Sequence, residues 1–416
     1  MAHNKSILFI SGIDFKKKSI QVIRKTPEAF AERGWKVDYL VLRDTSKDGN
    51  YFYENPFDPK GVRVHRLSYK MPWLLNILHV HVLRTIANKF ISYIGVFQLI
   101  STASSLIKQQ HYDAVYGYEH IGALVVLILK LRGKINSSIK ITRFQGTWFT
   151  LYYKQKRYLK LILNFDFYIA MRFKSDVCIM TDDGTQGDFI MHKIQPEHHS
   201  FNFWCNGVDK PNINNISVEN IQSKFMLSDK ICIMSISRLE EWKRLDRAIR
   251  VVHQFIKNNK SYRKKVVFLI VGDGNNKTQL ELLVKNLGIE DVVNFIGAVP
   301  NSEIGNYLAV SHVFMSFYDL SNVGNPLLES LRSNKVIMTL ANGDTGKWIK
   351  HYENGFIYDA DTDFVISASN DLLRIIEDDD IKRTIKKNVK LLADKKLWTW
   401  KERFDKEVGL IESKIM

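Results

Sequence analysis

Along the chain, short unbroken apolar runs alternate with longer stretches in which apolar residues return every three or four positions. SILFISG at 6–12 is a run ending in glycine; the spacing predicts a helix through PEAFAERG and a second strand in WKVDYLVL at 35–42. Short apolar runs bounded by turn signals read as buried strands, and the order strand, helix, strand argues a parallel sheet. The rhythm continues through YDAVYGY (112–118), a helix from Ile121 to Arg132, IKITRFQG (139–146) and DVCIMTD (176–182). After WCNGVDKPNINN the polarity rises and marks a linker. A second series then repeats the first: KICIMSIS (230–237), the helix LDRAIRVVHQFIKN, VVFLIVGDG (266–274), the helix TQLELLVKNLG, VVNFIGAVP (292–300), HVFMSFY (312–318), KVIMT (335–339) and GFIYD (355–359).

The expected fold class is therefore α/β, with two doubly wound Rossmann-like domains facing a central cleft. Residues 1–208 form the first, 209–395 the second, and 396–416 a C-terminal helix that is a candidate to pack back on the first. A length of 416 residues suits two domains, and 45% apolar with 25% charged residues is the composition of a chain that buries cores. Cys178, Cys205 and Cys232 are odd in number and lack CxxC or Cys/His spacing, which argues against a disulfide framework and a zinc site and fits a reducing cytoplasm. The apolar segment in MAHNKSILFISG is too short for a signal peptide, and no uninterrupted run approaches the length of a membrane span.

Charge changes the picture. Residues 1–208 hold 29 Lys/Arg against 16 Asp/Glu, whereas 209–416 hold 31 against 28. The basic half interleaves its cations with apolar and aromatic runs, SYKMPWLLNILHVHVLRTIANKFISYIGVFQLI (68–100) and LYYKQKRYLKLILNFDFYIAMRFK (151–174), which resemble amphipathic helices lying on an anionic membrane surface. Ordinary core helices with solvated faces are the competing reading. No recognised nucleic-acid-binding motif accompanies the charge.

Candidate chemistry lies where strands end. In SISRLEEWKRLDRAI two cations, Arg238 and Lys243, follow the strand and precede the helix; a guanidinium fork and a lysine point charge together suit a diphosphate. Taken singly, both read as solvated loop cations. VGDGNN at 271–276 is a strand and a GxG turn that lacks the third glycine of a dinucleotide fingerprint, so Gly272 reads first as a turn residue. SFYDLSNVGNPLLES is a strand, a glycine turn and the start of a helix whose N–H groups favour phosphate, with Glu329 expected in the first turn. The aspartates 359, 361 and 363 spell a DxD-like DADTD, but Asp363 is better placed to cap the following helix. Histidines 79, 81, 198 and 199 lack acidic or cysteine partners; His120, at a strand end in YGYEHIG, is the histidine to watch.

Together NGVD (206–209), SRL with Lys243 and Asp246, VGDG, VNFIG (293–297) and NPLLES resemble the C-terminal half of the retaining GT-B glycosyltransferases of family 4. The resemblance spans most of residues 200–360, while residues 1–200 match in element order only. It implies a nucleotide-diphosphate sugar as donor substrate, no cofactor and no metal. Arg238 and Lys243 would grip the diphosphate, Glu329 the ribose, and backbone at Ile296 the base. The donor side would further include Gly272 and the turn Ser321, Asn322, Val323, Gly324, Asn325, Pro326, Leu327 and Leu328. Three departures stand out. Ser321 replaces the first of the family's two glutamates, leaving its hydroxyl or the N–H groups of Val323 and Gly324 to meet the sugar. Gln145-Gly146 replaces a His-Gly pair, and the paired glycines of the first loop are reduced to Gly12. Acceptor-side candidates are thus Gly12, His120, Gln145 and Gly146.

The resulting expectation is a metal-independent, hexosyltransferase-like enzyme at the inner face of the membrane. Its partners would be a nucleotide sugar, a saccharide or lipid-linked saccharide acceptor of cell-surface polysaccharide synthesis, and an anionic membrane surface; no nucleic acid is expected. The alternative is a catalytically inactive nucleotide-sugar- or carbohydrate-binding protein of the same fold.

Overall fold

The computed structural model describes residues 5–13, 21–42, 58–67, 81–197, 200–360 and 362–415. Residues 68–80 of the first basic apolar run, His79, His198, His199 and Asp361 lie outside them. The chain divides into two compact units: Met1–Asp182 with Gly187–Trp204 and Lys401–Met416, and Asp183–Gln186 with Cys205–Trp400. The junction thus falls at Trp204/Cys205 rather than 208/209. The physical reason is the NGVD motif, which straps residues 205–209 to the end of the second unit: Val208 N–H donates to the Trp398 carbonyl at 2.7 Å and Asp209 Oδ1 accepts from Trp400 N at 2.9 Å. Gly207 permits this approach, since a Cβ there would lie 2.5 Å from the Trp400 Cα.

The first unit holds a seven-stranded sheet of order β3-β2-β1-β4-β5-β6-β7. Its strands are β1 (Ser6–Ser11), β2 (Lys36–Leu42), β3 (Val62–Leu67), β4 (Ala114–Tyr118), β5 (Ile139–Phe144), β6 (Val177–Thr181) and β7 (Phe201–Trp204). The second holds a six-stranded sheet of order β10-β9-β8-β11-β12-β13, built from β8 (Ile231–Ile236), β9 (Val266–Val271), β10 (Val293–Gly297), β11 (Val313–Ser316), β12 (Val336–Leu340) and β13 (Phe356–Tyr358). Every pairing between these strands is parallel. Buried on both faces, β9 is the continuous apolar run that a parallel sheet favours, and β8 and β12 are each interrupted by one buried hydroxyl, Ser235 and Thr339. In each sheet the order reverses between the first and fourth strands, and ligands of open parallel sheets bind beyond the strand ends at that switch point.

Two departures from the periodicity concern the first unit. The stretch 151–174 is not one helix but three short ones, Phe149–Lys154, Tyr158–Leu163 and Phe165–Arg172, broken where Lys156 takes a left-handed φ of 54° and where Asn164 separates the last two. The edge strand β3 alternates apolar and basic residues because Arg63 and His65 reach back to Asp38 on β2. Asp38, fully buried, also accepts from Tyr112 Oη at 2.9 Å, and these hydrogen bonds outweigh the burial penalty to hold its carboxyl down at about 2.

Candidate functional site

The donor-side candidates sit at the carboxyl ends of β8, β9, β10 and β11. Beyond β8 the chain is fixed by its neighbour: Ser237 N–H donates to the Val271 carbonyl at 3.1 Å, Leu239 N–H to Asp273 O at 2.9 Å, and Asn276 N–H to Leu239 O at 2.8 Å. Gly272, at φ +137°, is where the two backbones cross, and a Cβ there would lie 1.8 Å from the Ser237 carbonyl oxygen. VGDG is therefore a crossing that seats the Arg238 loop, which explains why it needs no third glycine. Arg238 itself is exposed.

Lys243 closes the 3-10 turn Glu241–Lys243, and its Nζ lies 4.0 Å from the ring centroid of Trp242 and 3.8 Å from that of Tyr318. The rings are held in place: Tyr318 Oη donates to the Ile236 carbonyl at 3.1 Å, and Asp319 N–H to the Trp242 carbonyl at 3.1 Å. Asp246, part of the expected motif, pairs with Arg244 at 3.0 Å, while Asp319 takes Arg244 at 3.2 Å and Arg247 at 2.8 Å, so carboxylates brace the loop and leave the lysine against aromatic faces. Burial lowers the Lys243 ammonium to about 7, the nearby Arg238 charge pushes the same way, and Asp183 opposes both.

The turn after β11 is organised by buried Asn322. Its amide oxygen accepts from Tyr318 N at 3.0 Å, its amide nitrogen donates to Leu340 O at 3.3 Å, and its own N–H donates to Thr345 Oγ1 at 3.2 Å. Ser321 Oγ donates to the Asp183 carbonyl at 3.0 Å and accepts from Val323 N at 3.1 Å; Gly324 N–H donates to Asn322 O at 2.9 Å. This corrects the expectation that those N–H groups or the serine proton stand open for a sugar: a tight turn has to close its own hydrogen bonds.

The helix that follows spans Asn325–Arg332, with Pro326 at its second position and Leu327 and Leu328 in the core. Leu328 N–H returns to the Gly324 carbonyl at 3.1 Å, whereas among the described residues the N–H groups of Asn325 and Leu327 meet no protein acceptor. Asn325 Oδ1 accepts from Asn206 Nδ2 at 3.0 Å. Glu329 stands in the second turn, not the first, because the helix begins at Asn325 rather than at the leucines. Burial raises its carboxyl to about 7, with Asn301 Nδ2 donating at 3.5 Å and pulling the other way. Ile296 is half-buried in β10, next to Gly297, whose carbonyl accepts from Gly272 N at 2.8 Å.

In the first unit, the acceptor-side candidates gather at the ends of β1, β4 and β5. Gly12 packs on Ile121; the His120 ring lies 5.2 Å from that of Phe167, which in turn stacks on Phe149 at 5.4 Å. Gln145 N–H donates to Glu119 Oε1 at 2.9 Å, its amide oxygen accepts from Thr181 Oγ1 at 3.2 Å, and Gly146 follows at φ +117°. Elsewhere, Asp363 Oδ1 accepts from Val365 N at 3.3 Å at the start of the helix Val365–Glu377, and among the described residues no group of three or more His, Cys, Asp or Glu side chains could hold a metal ion.

Sequence reasoning missed Trp242, Tyr318, Asn301 and Asp183. The tryptophan is adjacent to Lys243 and the tyrosine lies inside the quoted SFYD, so an aromatic neighbour to a candidate cation was a usable signal; Asp183 arrives from a distant part of the chain, and nothing local announces it.

Residues 217–391 match the family described as Glycosyl transferases group 1. The chain is 22% identical over 164 residues to the alpha-monoglucosyldiacylglycerol synthase of Acholeplasma laidlawii, covering 39% of each. It is 26% identical over 159 residues to the N-acetyl-alpha-D-glucosaminyl L-malate synthase of Bacillus anthracis, covering 38% of this chain and 39% of the other. The matches thus span well under half the length of these relatives. Among solved structures, HepE of Anabaena in complex with UDP and glucose aligns with a TM-score of 0.71 at 15% identity, over 99% of this chain and 100% of that one. Sucrose-phosphate synthase from Thermosynechococcus elongatus aligns with a TM-score of 0.73 at 15% identity, over 99% of each. The two Rossmann-like parallel-sheet units are those of the GT-B fold, and residues 217–391 are a glycosyl transferases group 1 domain.

Proposed function

We propose that the protein is a retaining, metal-independent glycosyltransferase that moves a sugar from a nucleoside-diphosphate sugar to a saccharide acceptor, with a lipid-linked saccharide of cell-surface polysaccharide synthesis as the candidate acceptor. The observation that carries this reading is Lys243, held between Trp242 and Tyr318 beside Arg238 at the switch point of the second sheet. A half-discharged lysine next to a guanidinium is a costly arrangement that a bound anion relieves. Departure of the nucleoside diphosphate places charge on the leaving phosphate, and preorganised donors there lower the barrier. Arg238 supplies a planar fork, Lys243 a point charge, and the N–H groups of Asn325 and Leu327 the end of a helix dipole. Glu329, as carboxylate, accepts the ribose hydroxyls, and backbone at Ile296 approaches the base. Gly12, His120, Gln145 and Gly146 form the acceptor side. HepE, whose structure contains UDP and glucose, supports a uridine donor. The three cysteines are unpaired and buried, which supports a reducing compartment on the cytoplasmic side.

The test is transfer from a panel of labelled nucleotide sugars with EDTA present. Arg238→Ala and Lys243→Ala are each expected to lose transfer by an amount corresponding to roughly 1.5–3 kcal/mol, the value of a hydrogen bond to a charged group, with unchanged melting. Wild-type turnover in both variants removes the diphosphate assignment; full, metal-reversible loss in EDTA removes metal independence. A second reading, a nucleotide-sugar-binding protein without turnover, is favoured by the committed hydroxyl of Ser321 and the amide of Gln145 engaged by Thr181. Binding without transfer or hydrolysis would establish it.

A further inference from the structure

The helix Tyr158–Leu163 reads YLKLIL, yet none of its residues is buried. Leu159 is 70% and Ile162 66% exposed, with Leu163 and the following Phe165 more than half exposed. Of this helix only Leu161 is packed against the core of the unit. A helix of five apolar residues that leaves four of them exposed is unexplained by the fold of this chain, because apolar surface of this extent is expected to be covered by something.

The surroundings say what covers it. Between residues 149 and 174 the cations are Lys154, Lys156, Arg157, Lys160, Arg172 and Lys174, and the single carboxylate, Asp166, is buried. Aromatic side chains with polar edges flank the aliphatic tip: Trp148, Tyr153, Tyr158 and Tyr168 are all exposed. Lys160 and Lys154 lie over the rings of Tyr152 and Phe189, 5.3 and 5.0 Å from their centroids, with stems along apolar surface. An aliphatic tip, a belt of Tyr and Trp and a collar of cations without accessible carboxylates is complementary to one medium, the acyl-chain boundary of an anionic bilayer.

We propose that residues 149–172 are a bilayer-docking element, with the helix Tyr158–Leu163 inserted below the headgroups and the cations at lipid phosphates. No described helix is long and apolar enough to cross a membrane, so the element docks without spanning. Its two flanking helices carry Phe149 and Phe167, the rings stacked next to His120, and Gln145-Gly146 lead directly into the first of them. Docking therefore fixes the same ring stack that lines the proposed acceptor side, and an acceptor held in the bilayer surface meets it there. The docking claim stands on these side chains and not on the donor chemistry.

The three native cysteines are buried, so Leu159→Cys can be labelled selectively with an environment-sensitive fluorophore on the full chain. Vesicles of phosphatidylcholine with 30% phosphatidylglycerol (roughly the anionic content of a bacterial-type surface) are expected to shift its emission to the blue and to sediment the protein, more weakly as salt rises. Leu159→Asp with Ile162→Asp is expected to abolish partitioning at least tenfold. Lys154→Gln with Arg157→Gln and Lys160→Gln is expected to cost about fivefold per cation and to remove the preference for anionic over neutral vesicles. UDP-induced thermal stabilisation, which reports the second unit, is expected to be unchanged in all of them; its absence in the wild type as well would count against the donor reading and leave docking intact. The proposal is overturned if the label stays in water, if the aspartate pair sediments like wild type, or if the wild type is a lipid-free dimer that the aspartate pair converts to monomer, which would make the patch a protein interface.

Discussion

Lys243 and Glu329 are displaced from their ordinary protonation in opposite directions, and that difference is measurable. Lys243 lies at about 7 in the folded chain against 10.5 normally; between those values the unfolded state holds a proton that the folded state lacks, so this residue makes stability rise with pH across the window. Glu329 lies at about 7 against 4.5; there the folded state holds the extra proton, and the residue makes stability fall as pH rises through that range. An anion next to Lys243 restores its charge. UDP binding at pH 8 is therefore expected to take up a fraction of a proton, read by calorimetry in two buffers of different ionisation heat, and the uptake should vanish in Lys243→Met. At pH 6 a ribose-bound Glu329 is expected to release one, an effect absent from Glu329→Gln; UDP affinity and proton balance like wild type in that variant would leave the carboxylate with no ligand role. The spacing of Arg238, Lys243 and Glu329 was legible from the family likeness. The aromatic clamp around the lysine was legible only by half: Trp242 is its neighbour in sequence, but Tyr318 reaches it only once β8 and β11 are neighbours.

At the scale of elements, the site depends on backbones that approach too closely for side chains. Gly272→Ala would place a Cβ against the Ser237 carbonyl in a left-handed conformation, so the Arg238 loop must shift or the crossing must open. We expect lowered thermal stability and at least tenfold weaker UDP binding, whereas alanine at exposed Gly288, whose Cβ meets nothing within 4 Å, should cost only backbone strain and spare binding. Equal effects on binding at the two positions would show that the crossing does not position Arg238. Interior strands were readable because burial on both faces favours near-continuous apolar runs. The strands β3 and β7 escaped notice for physical reasons: β3 spends alternate positions on partners for Asp38, and FNFW in β7 is four residues long. The helices at 149–172 were misread as one because a hydrophobic period cannot locate the breaks at Lys156, which takes a left-handed φ, and at Asn164.

At the scale of the whole molecule, the first unit closes only with the helix Trp400–Glu412. Glu407, fully buried, accepts from Arg143 at 2.6 Å and Arg403 at 2.7 Å, and also from Tyr116 Oη. Burial would raise its carboxyl, but the two guanidinium groups outweigh that and hold it below the ordinary range. Its contribution is thus present above the ordinary glutamate pKa and lost as pH falls through the depressed one. Glu407→Ala is expected to destabilise by about 3–5 kcal/mol, since two arginines are left buried without a counter-charge, measured by urea unfolding of the first unit's transition. A loss under 1 kcal/mol would mean water reaches the pair. The element order of this unit was legible along residues 1–200, and the sequence also offered residues 396–416 as a helix to pack back on it; the buried ion pair was not legible, because the partner of Arg143 lies 264 positions away. That separation bears on how the protein is made. A ribosome delivers Arg143 early and Glu407 among the last residues, so the nascent first sheet waits, with an unanswered cation in its middle, for the entire second unit to emerge. A premature stop codon anywhere before position 407 would spoil the end of the protein that was synthesised first.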